Sequence, residues 1–328
     1  RKGGRDMGIL VQKFGGSSMG TAARREQVVG HILEAKAAGY ECVVVVSAMG
    51  RSGDPYATDT FISLAYAISP APAARELDLL MACGELVSAT LLAVQLQELG
   101  CAAMALTGSQ VGIITDENHG NAEIQAVEIK RIRQVLEAGI IPVICGFQGV
   151  TASGELTTLG RGGSDITGAL LASAVNAEVY ENWTDVSGFM MADPRIVNNP
   201  KQIEKITYKE LRELSYMGAN VLHEEAVFPV RQVGISINIR NTNDPEASGT
   251  LIVPNGENFH STGMITGIAG KKDFTIISIE KAMMNTELGF GRKLLSIIES
   301  QGISFEHMPS GIDSISLVIA DSELDGKL

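Results

Sequence analysis

Four charged side chains, Lys13, Glu85, Arg161 and Asp165, stand among glycines or apolar residues, where an unpaired charge is costly. The densest grouping is Thr158-Leu159-Gly160-Arg161-Gly162-Gly163-Ser164-Asp165-Ile166-Thr167-Gly168-Ala169-Leu170-Leu171, which reads as a strand end, a glycine turn and an apolar helix capped by Ser164 or Asp165. The glycines at 160, 162 and 163 allow positive φ and let N–H groups approach a ligand, and the helix start favours an anion. Arg161 adds a planar fork that pairs bidentately with a carboxylate or phosphate, and Asp165 puts a carboxylate within a turn of it. The plainer alternative is a glycine loop before a helix with a surface ion pair.

Three further stretches could join that turn. Ile9-Leu10-Val11-Gln12-Lys13-Phe14 reads as a buried strand running into Gly15-Gly16-Ser17-Ser18, so a lysine ends a strand beside a turn of N–H donors and hydroxyls, a setting suited to phosphate. The lysine precedes the glycines, which excludes the P-loop pattern. Glu85 follows Gly84 in a long apolar helical pattern and must meet a cation, either a scaffold side chain or a bound ammonium. Thr184 and Asp185 terminate a later strand, and Asp193-Pro194-Arg195 makes a turn whose cation either faces phosphates or pairs locally.

These residues need a scaffold, and the composition describes one. A chain of 328 residues, 45% hydrophobic and 5% aromatic, can bury a large core and fits about two domains. Lys and Arg number 26 against 38 Asp and Glu, a net charge of −12 that argues against nucleic acid or an anionic membrane as partner. No apolar run is expected to span a membrane and no signal-peptide core is expected. Cys42, Cys83, Cys101 and Cys145 lie in apolar runs without C-x-x-C spacing, the pattern of reduced, buried thiols in a cytoplasmic protein.

The order of patterns is α/β. A helix over 23–38 leads to Cys42-Val43-Val44-Val45-Val46, a β-branched run expected to be covered on both faces of a parallel sheet and ending at Ser47. Residues 51–72 read as a polar excursion able to act as a lid. A helix over 76–99 follows, then buried strands at 101–107 and 140–145 separated by a helix over 124–138, with Gly146-Phe147-Gln148-Gly149 closing the second strand at the ligand edge. Strands near 177–184, 235–239 and 250–253, with helices at 208–216 and 219–233, complete this part. Beyond about 262 the pattern becomes β, β, α, β, β, at 265–269, 274–279, 291–299, 303–307 and 314–319. The expected organisation is therefore a leftover non-native extension over 1–6 before Met7, an α/β catalytic domain over 7–262, and a truncated α+β module over 263–328.

Taken together, the motifs resemble those of aspartate kinases in the amino-acid kinase superfamily. Lys13-Phe14-Gly15-Gly16-Ser17-Ser18 is similar to the family's start signature, usually written with Thr at the position of Ser17. Gly84-Glu85-Leu86, Gly160-Arg161-Gly162-Gly163-Ser164-Asp165, Trp183-Thr184-Asp185-Val186 with Ala192-Asp193-Pro194-Arg195, and Val221-Leu222-His223 follow in the family's order. The lysine motif combined with the Arg-Gly-Gly-Ser-Asp turn separates this resemblance from glutamate, acetylglutamate, carbamate and uridylate kinases. The C-terminal module looks like the first of the ACT regulatory domains.

The resemblance implies a three-layer sandwich around a mainly parallel sheet, and transfer of the ATP γ-phosphoryl group, with Mg²⁺, to the β-carboxylate of L-aspartate. That reaction opens lysine, threonine and methionine biosynthesis. It implies that Lys13 stabilises the moving phosphoryl group, with Gly15, Gly16 and Ser17 donating around it. Arg161 would clamp the substrate α-carboxylate, Glu85 and Asp165 take its ammonium, Asp165 also orient Lys13, and Ser47, Gly162 and Ser164 line the pocket. Thr184, Asp185, Met190 and Arg195 match nucleotide contacts. Val221-Leu222-His223 is expected to pack. Two departures stand out: Asn220 replaces a lysine frequent before Val-Leu-His, and Met190 replaces a frequent aromatic. Met284, Asn285, Ser304 and Glu306 match the loop and strand that hold a feedback amino acid, lysine or threonine, at a pairing interface, which implies a homo-oligomer. A non-catalytic amino-acid sensor is disfavoured because all four charged residues are present, and a kinase for another acyl acceptor is separable by assay.

Overall fold

The computed structural model describes residues 8–218, 222, 224–256 and 265–324, with only the backbone of 224–226. The strands are Ile9–Phe14 (β1), Glu41–Val46 (β2), Ala103–Leu106 (β3), Ile113–Thr115 (β4), Ile124–Val127 (β5), Ile141–Cys145 (β6), Gln148–Thr151 (β7), Leu156–Thr158 (β8), Val179–Thr184 (β9), Lys205–Thr207 (β10), Ser236–Asn241 (β11), Thr250–Val253 (β12), Phe274–Glu280 (β13) and Ser314–Ala320 (β14). The helices are Gly16–Met19 (α1), Ala22–Ala37 (α2), Thr58–Ile68 (α3), Ala74–Glu98 (α4), Lys130–Glu137 (α5), Gly163–Val175 (α6), Tyr208–Tyr216 (α7), Glu224–Val233 (α8), Phe290–Ser300 (α9) and Asp321–Leu324 (α10). Two compact units divide at Ala269/Gly270. The boundary expected near 262 falls outside the described residues.

In the larger unit, eight strands run β10-β12-β11-β9-β1-β2-β6-β3, parallel except where β12 meets β11. The valines of β2 explain the sheet's two-sided cover. Val43 and Val45 join the core beneath α6, whereas Val44 and Val46 join the one beneath α2 and α4. A strand with both faces buried has no use for polar alternation, and each valine so buried contributes about 1.5–3 kcal/mol. Thr21 caps α2 by accepting from the Arg24 N–H at 3.3 Å, and Thr207 and Glu210 form a reciprocal capping box on α7.

Several elements differ from expectation. Residues 124–138 are not one helix: Ile124–Val127 is a strand and the helix is Lys130–Glu137. With β4, β7 and β8 that strand forms a second sheet, ordered β5-β4-β7-β8. These strands have three or four residues each, too short for a period to show. The excursion over 51–72 contains α3, a helix with no buried residue. Helix α4 is long and apolar enough by composition to cross a membrane, contrary to the sequence reading, but half of its most apolar stretch is buried and it packs on β3, β6 and β8. Cys83 is exposed on it, not buried as expected. In the smaller unit β13 and β14 pair antiparallel beside α9. Neither 265–269 nor 303–307 is a strand, although His307 bridges Val318.

Asp78 ties α4 to the second sheet. It is wholly buried and accepts from the Thr158 hydroxyl at 2.6 Å and the Thr158 and Gly120 N–H groups, and pairs with His119 Nδ1 at 2.8 Å. Asp78→Ala strands these donors in the interior and is expected to cost about 3–5 kcal/mol. Urea unfolding followed by fluorescence of Trp183, the single tryptophan, should show the midpoint fall, with Asp78→Asn intermediate.

Candidate functional site

The carboxyl ends of β1, β2, β6 and β9 lie on one edge of the sheet, because these strands are parallel. Lys13 is the fifth residue of β1, opposite Asn182 of β9. Its Nζ lies 2.6 Å from Asp165 Oδ1, and the same oxygen accepts from Asn182 Nδ2 at 2.8 Å. Asp165 sits in the first turn of α6, so the pair fastens that helix start to the strand ends. The sequence reading expected Ser164 or Asp165 to cap the helix, but the cap position is held by Gly162, in the left-handed region at φ 71°. Gly146 lets the helix approach, since a Cβ there would come 2.7 Å from Ser164 Oγ.

Glu85 reaches the same place from α4. Its Oε1 accepts the Ala48 N–H at 2.9 Å, just after β2, while Oε2 is buried with no hydrogen-bond partner. Gly84 permits the contact, because a Cβ there would lie 2.6 Å from Ala48 Cβ. No protein cation meets Glu85 among the described residues, so the scaffold ion pair left open by sequence is not formed. Burial pushes its carboxyl up to about 8, against the opposing pull of the Ala48 N–H.

Lys13, Glu85 and Asp165 line one cavity of about 310 Å³, with Gly16, Ser47, Gly162 and Ser164. Arg161 is placed differently. It sits between Gly160 and Gly162, both lining, but its own side chain is exposed and off the wall. Gly15 does not offer its N–H to the cavity, because that group donates to Trp183 O at 3.1 Å. Ser17 follows in α1, half-buried.

The other predicted residues lie outside the cavity lining. Thr184 ends β9 and its carbonyl accepts from Thr242 N; Asp185 pairs with Arg51. Met190 bridges Gln202, and Arg195 pairs with Asp193 at 2.6 Å on the surface. Leu222 is buried, while Asn220, Val221 and His223 lie outside the described residues. In the smaller unit Met284 is buried with its N–H directed at Asp313, next to Asn285, and the N–H groups of Ser304 and Glu306 donate to Glu323 and Val318 O.

Sequence reading passed over Arg51, Ser52 and Asp59, which also line the cavity. For Arg51 and Ser52 the signal was position just beyond β2, the same strand-end logic applied to Lys13, whereas Asp59 lies in α3 and carried no such signal. Among the described residues no three metal-ligating side chains cluster. Asp59 and Asp165 are the cavity's exposed or half-exposed carboxylates, a donor set suited to a Mg²⁺ ion carried mainly by phosphate oxygens.

Residues 8–241 match the model of the amino acid kinase family. The chain is 44% identical over 273 residues to aspartokinase 1 of Bacillus subtilis (strain 168), covering 82% of this chain and 67% of that one. It is 43% identical over 282 residues to the aspartokinase of Geobacillus stearothermophilus, covering 85% and 68%. It thus spans about two thirds of the length of these curated relatives. Among solved structures, the aspartate kinase of Clostridium acetobutylicum, described as an allosteric enzyme, superposes with a TM-score of 0.78 at 42% identity, covering 97% of this chain and 80% of that one. Aspartokinase III of E. coli in complex with aspartate and ADP gives 0.72 at 26% identity, covering 95% and 78%.

The burial of Glu85 has a measurable sign. Its folded-state value lies above the ordinary carboxylate range, so the folded chain holds a proton that the unfolded chain has lost between about pH 4.5 and 8, and stability falls as pH rises through that window. Infrared difference spectra of the ligand-free protein should show a protonated carboxyl band at pH 6 that fades with a midpoint near pH 8. Glu85→Gln should lack that band.

Proposed function

The chain belongs to the amino acid kinase family and, within it, to the aspartokinases, and from that premise we propose that its cleft moves the γ-phosphoryl group of ATP onto the β-carboxylate of L-aspartate. The products are 4-phospho-L-aspartate and ADP, the opening step toward lysine, threonine and methionine in the cytoplasm. The observation that carries this reading is one cavity walled by a buried carboxylate oxygen without a partner, on Glu85, and a buried lysine fixed by a carboxylate, Lys13 with Asp165.

The acceptor carboxylate is already ionised at neutral pH, with a reference value of about 3.9, and no strong base is needed. One of its oxygens attacks the γ-phosphorus as the bond to the ADP oxygen breaks, so rate rests on alignment and charge neutralisation. Lys13 supplies positive charge at the moving group, and Asp165 with Asn182 holds its amine in place. Gly16 and Ser17 flank it, and Gly15 shapes the turn through its bond to Trp183. Glu85 Oε2 receives the substrate ammonium, which favours the ionised carboxyl, so aspartate binding below about pH 8 releases a proton. Ser47, Gly162 and Ser164 bound the amino-acid end, and Arg161 turns in from its exposed position to clamp the α-carboxylate. Thr184, Asp185, Met190 and Arg195 form the nucleotide side. Mg²⁺ bound with the nucleotide would neutralise phosphate charge, and Asp59 and Asp165 are the carboxylates of the cavity that would help to hold it.

Regulation and assembly extend the same reading. E. coli aspartokinase III has been solved with lysine and aspartate in a T-state, and Met284, Asn285, Ser304 and Glu306 are the effector candidates in this chain. Homo-oligomer formation is supported by apolar side chains left open on α3 and α4, Leu64, Tyr66, Ile68, Leu79 and Leu86, and by β13, which among the described residues pairs only with β14. Light scattering should give a mass above that of a single 34.7 kDa chain; a monomer at high concentration overturns this part.

Coupled ADP release with ATP and Mg²⁺ should require L-aspartate, with glutamate, N-acetylglutamate and carbamate inactive, and EDTA should abolish it. Lys13→Ala should lower kcat about 10²–10³-fold. Arg161→Ala should raise the aspartate KM at least about thirtyfold, the effect of losing a charge-assisted clamp. Unchanged kinetics in both variants defeats the assignment.

A further inference from the structure

Arg51 is a cation of this cleft that neither the lysine motif nor the Arg161 turn accounts for. It lies five residues beyond β2, and Asp185 lies immediately beyond β9. Those strands are the two neighbours of β1, so the Arg51–Asp185 ion pair crosses the carboxyl end of β1, above Lys13 and the glycine turn.

The backbone of this residue is held by hydrogen bonds, while its side chain is exposed and paired with Asp185. The Arg51 N–H donates to Asp54 Oδ2 at 2.8 Å, and the preceding Gly50 donates to Gly16 O at 2.9 Å. Gly16 accepts that close approach because it lacks a Cβ, which would stand 2.7 Å from both Ala48 O and Gly50 O. The loop is thereby seated on the glycine turn. The Arg51 side chain is 72% exposed, and an exposed ion pair contributes little and is easily exchanged.

The charges in the cavity call for such an exchange. Its lining cations are Lys13 and Arg51, and Lys13 is already engaged by Asp165. A nucleotide carries several negative charges where Asp185 carries one, and a guanidinium matches phosphate oxygens bidentately. We propose that Arg51 is a nucleotide-binding residue, parked on Asp185 in the free enzyme and transferred to the terminal phosphates of the bound nucleoside triphosphate. Lys13 then serves the moving group from inside the cavity and Arg51 serves the same chain of phosphates from its rim.

The inference rests on the phosphoryl-transfer reading, and equilibrium binding keeps the two apart. Calorimetric Kd values for ATP, AMP and aspartate are measured on the full chain and on Arg51→Ala and Arg51→Lys. Arg51→Ala should bind ATP about ten- to hundredfold more weakly, with AMP and aspartate within about twofold of wild type. Arg51→Lys, which keeps the charge and loses the fork, should fall between. Thermal melts matching wild type show that the fold is intact, and if Arg51→Ala alone is unstable, Arg51→Lys carries the test. An unchanged ATP Kd, equal weakening of ATP and AMP, or a loss confined to aspartate each overturns the role of Arg51. A wild-type chain that binds no ATP overturns the kinase reading instead.

Discussion

The ion pair between Lys13 and Asp165 is the interaction on which the site's architecture turns. A lysine within a buried strand is unfavourable without a partner, and the partner comes from the start of a helix 152 residues away in sequence. Because Asn182 on the adjacent strand binds the same carboxylate oxygen, β1, β9 and α6 are held together at one point. Behind it Trp183 stacks between Phe14 and His31, with Arg240 over its ring, and Glu181 accepts from Gln12 and Trp183. The position of the amine is therefore set by a packed interior and not by the surface.

Close approach sets the remaining walls. Glu85 can reach Ala48 only because Gly84 presents no side chain to it, and the first turn of α6 can reach the end of β6 only because Gly146 presents none to Ser164. Ala at either position would need to displace backbone or a neighbouring side chain, so these glycines act through space, whereas Gly162 acts through its positive φ of 71° and Gly160 through both, with φ 73° and a Cβ that would overlap Asn121 Oδ1.

The long buried strands and their helices were legible because each carries enough residues for its pattern to show. The five-residue run from Cys42 to Val46 announces two-sided burial by the absence of alternation. The second sheet was not legible: its strands are three or four residues long, and its tie to α4 runs through Asp78 and Thr158, a contact between residues 80 apart. Lys13 and Asp165 were individually legible as charges in improbable places, as was Glu85. That Glu85 would meet no protein cation was not, because it depends on which side chains the tertiary fold leaves within reach. Arg51 escaped notice since its surroundings, polar and rich in glycine, resemble those of any surface turn until the sheet order places it beside β1.

Burial also separates the roles of the cleft's cations. Lys13 is desolvated and oriented before any ligand arrives, so the cost of placing it is met by folding and none of it falls on the reaction step. Arg51 and Arg161 are exposed and keep much of their hydration in the free chain, where Arg51 pairs with Asp185. Ordering on binding reduces affinity but leaves access open, which suits groups that must admit two anionic substrates and release two anionic products. A site with all three cations buried would bind more tightly and let go more slowly. The difference between one buried charge and two exposed ones follows from where each residue falls relative to its strand end: Lys13 inside β1, Arg51 and Arg161 in the loops beyond.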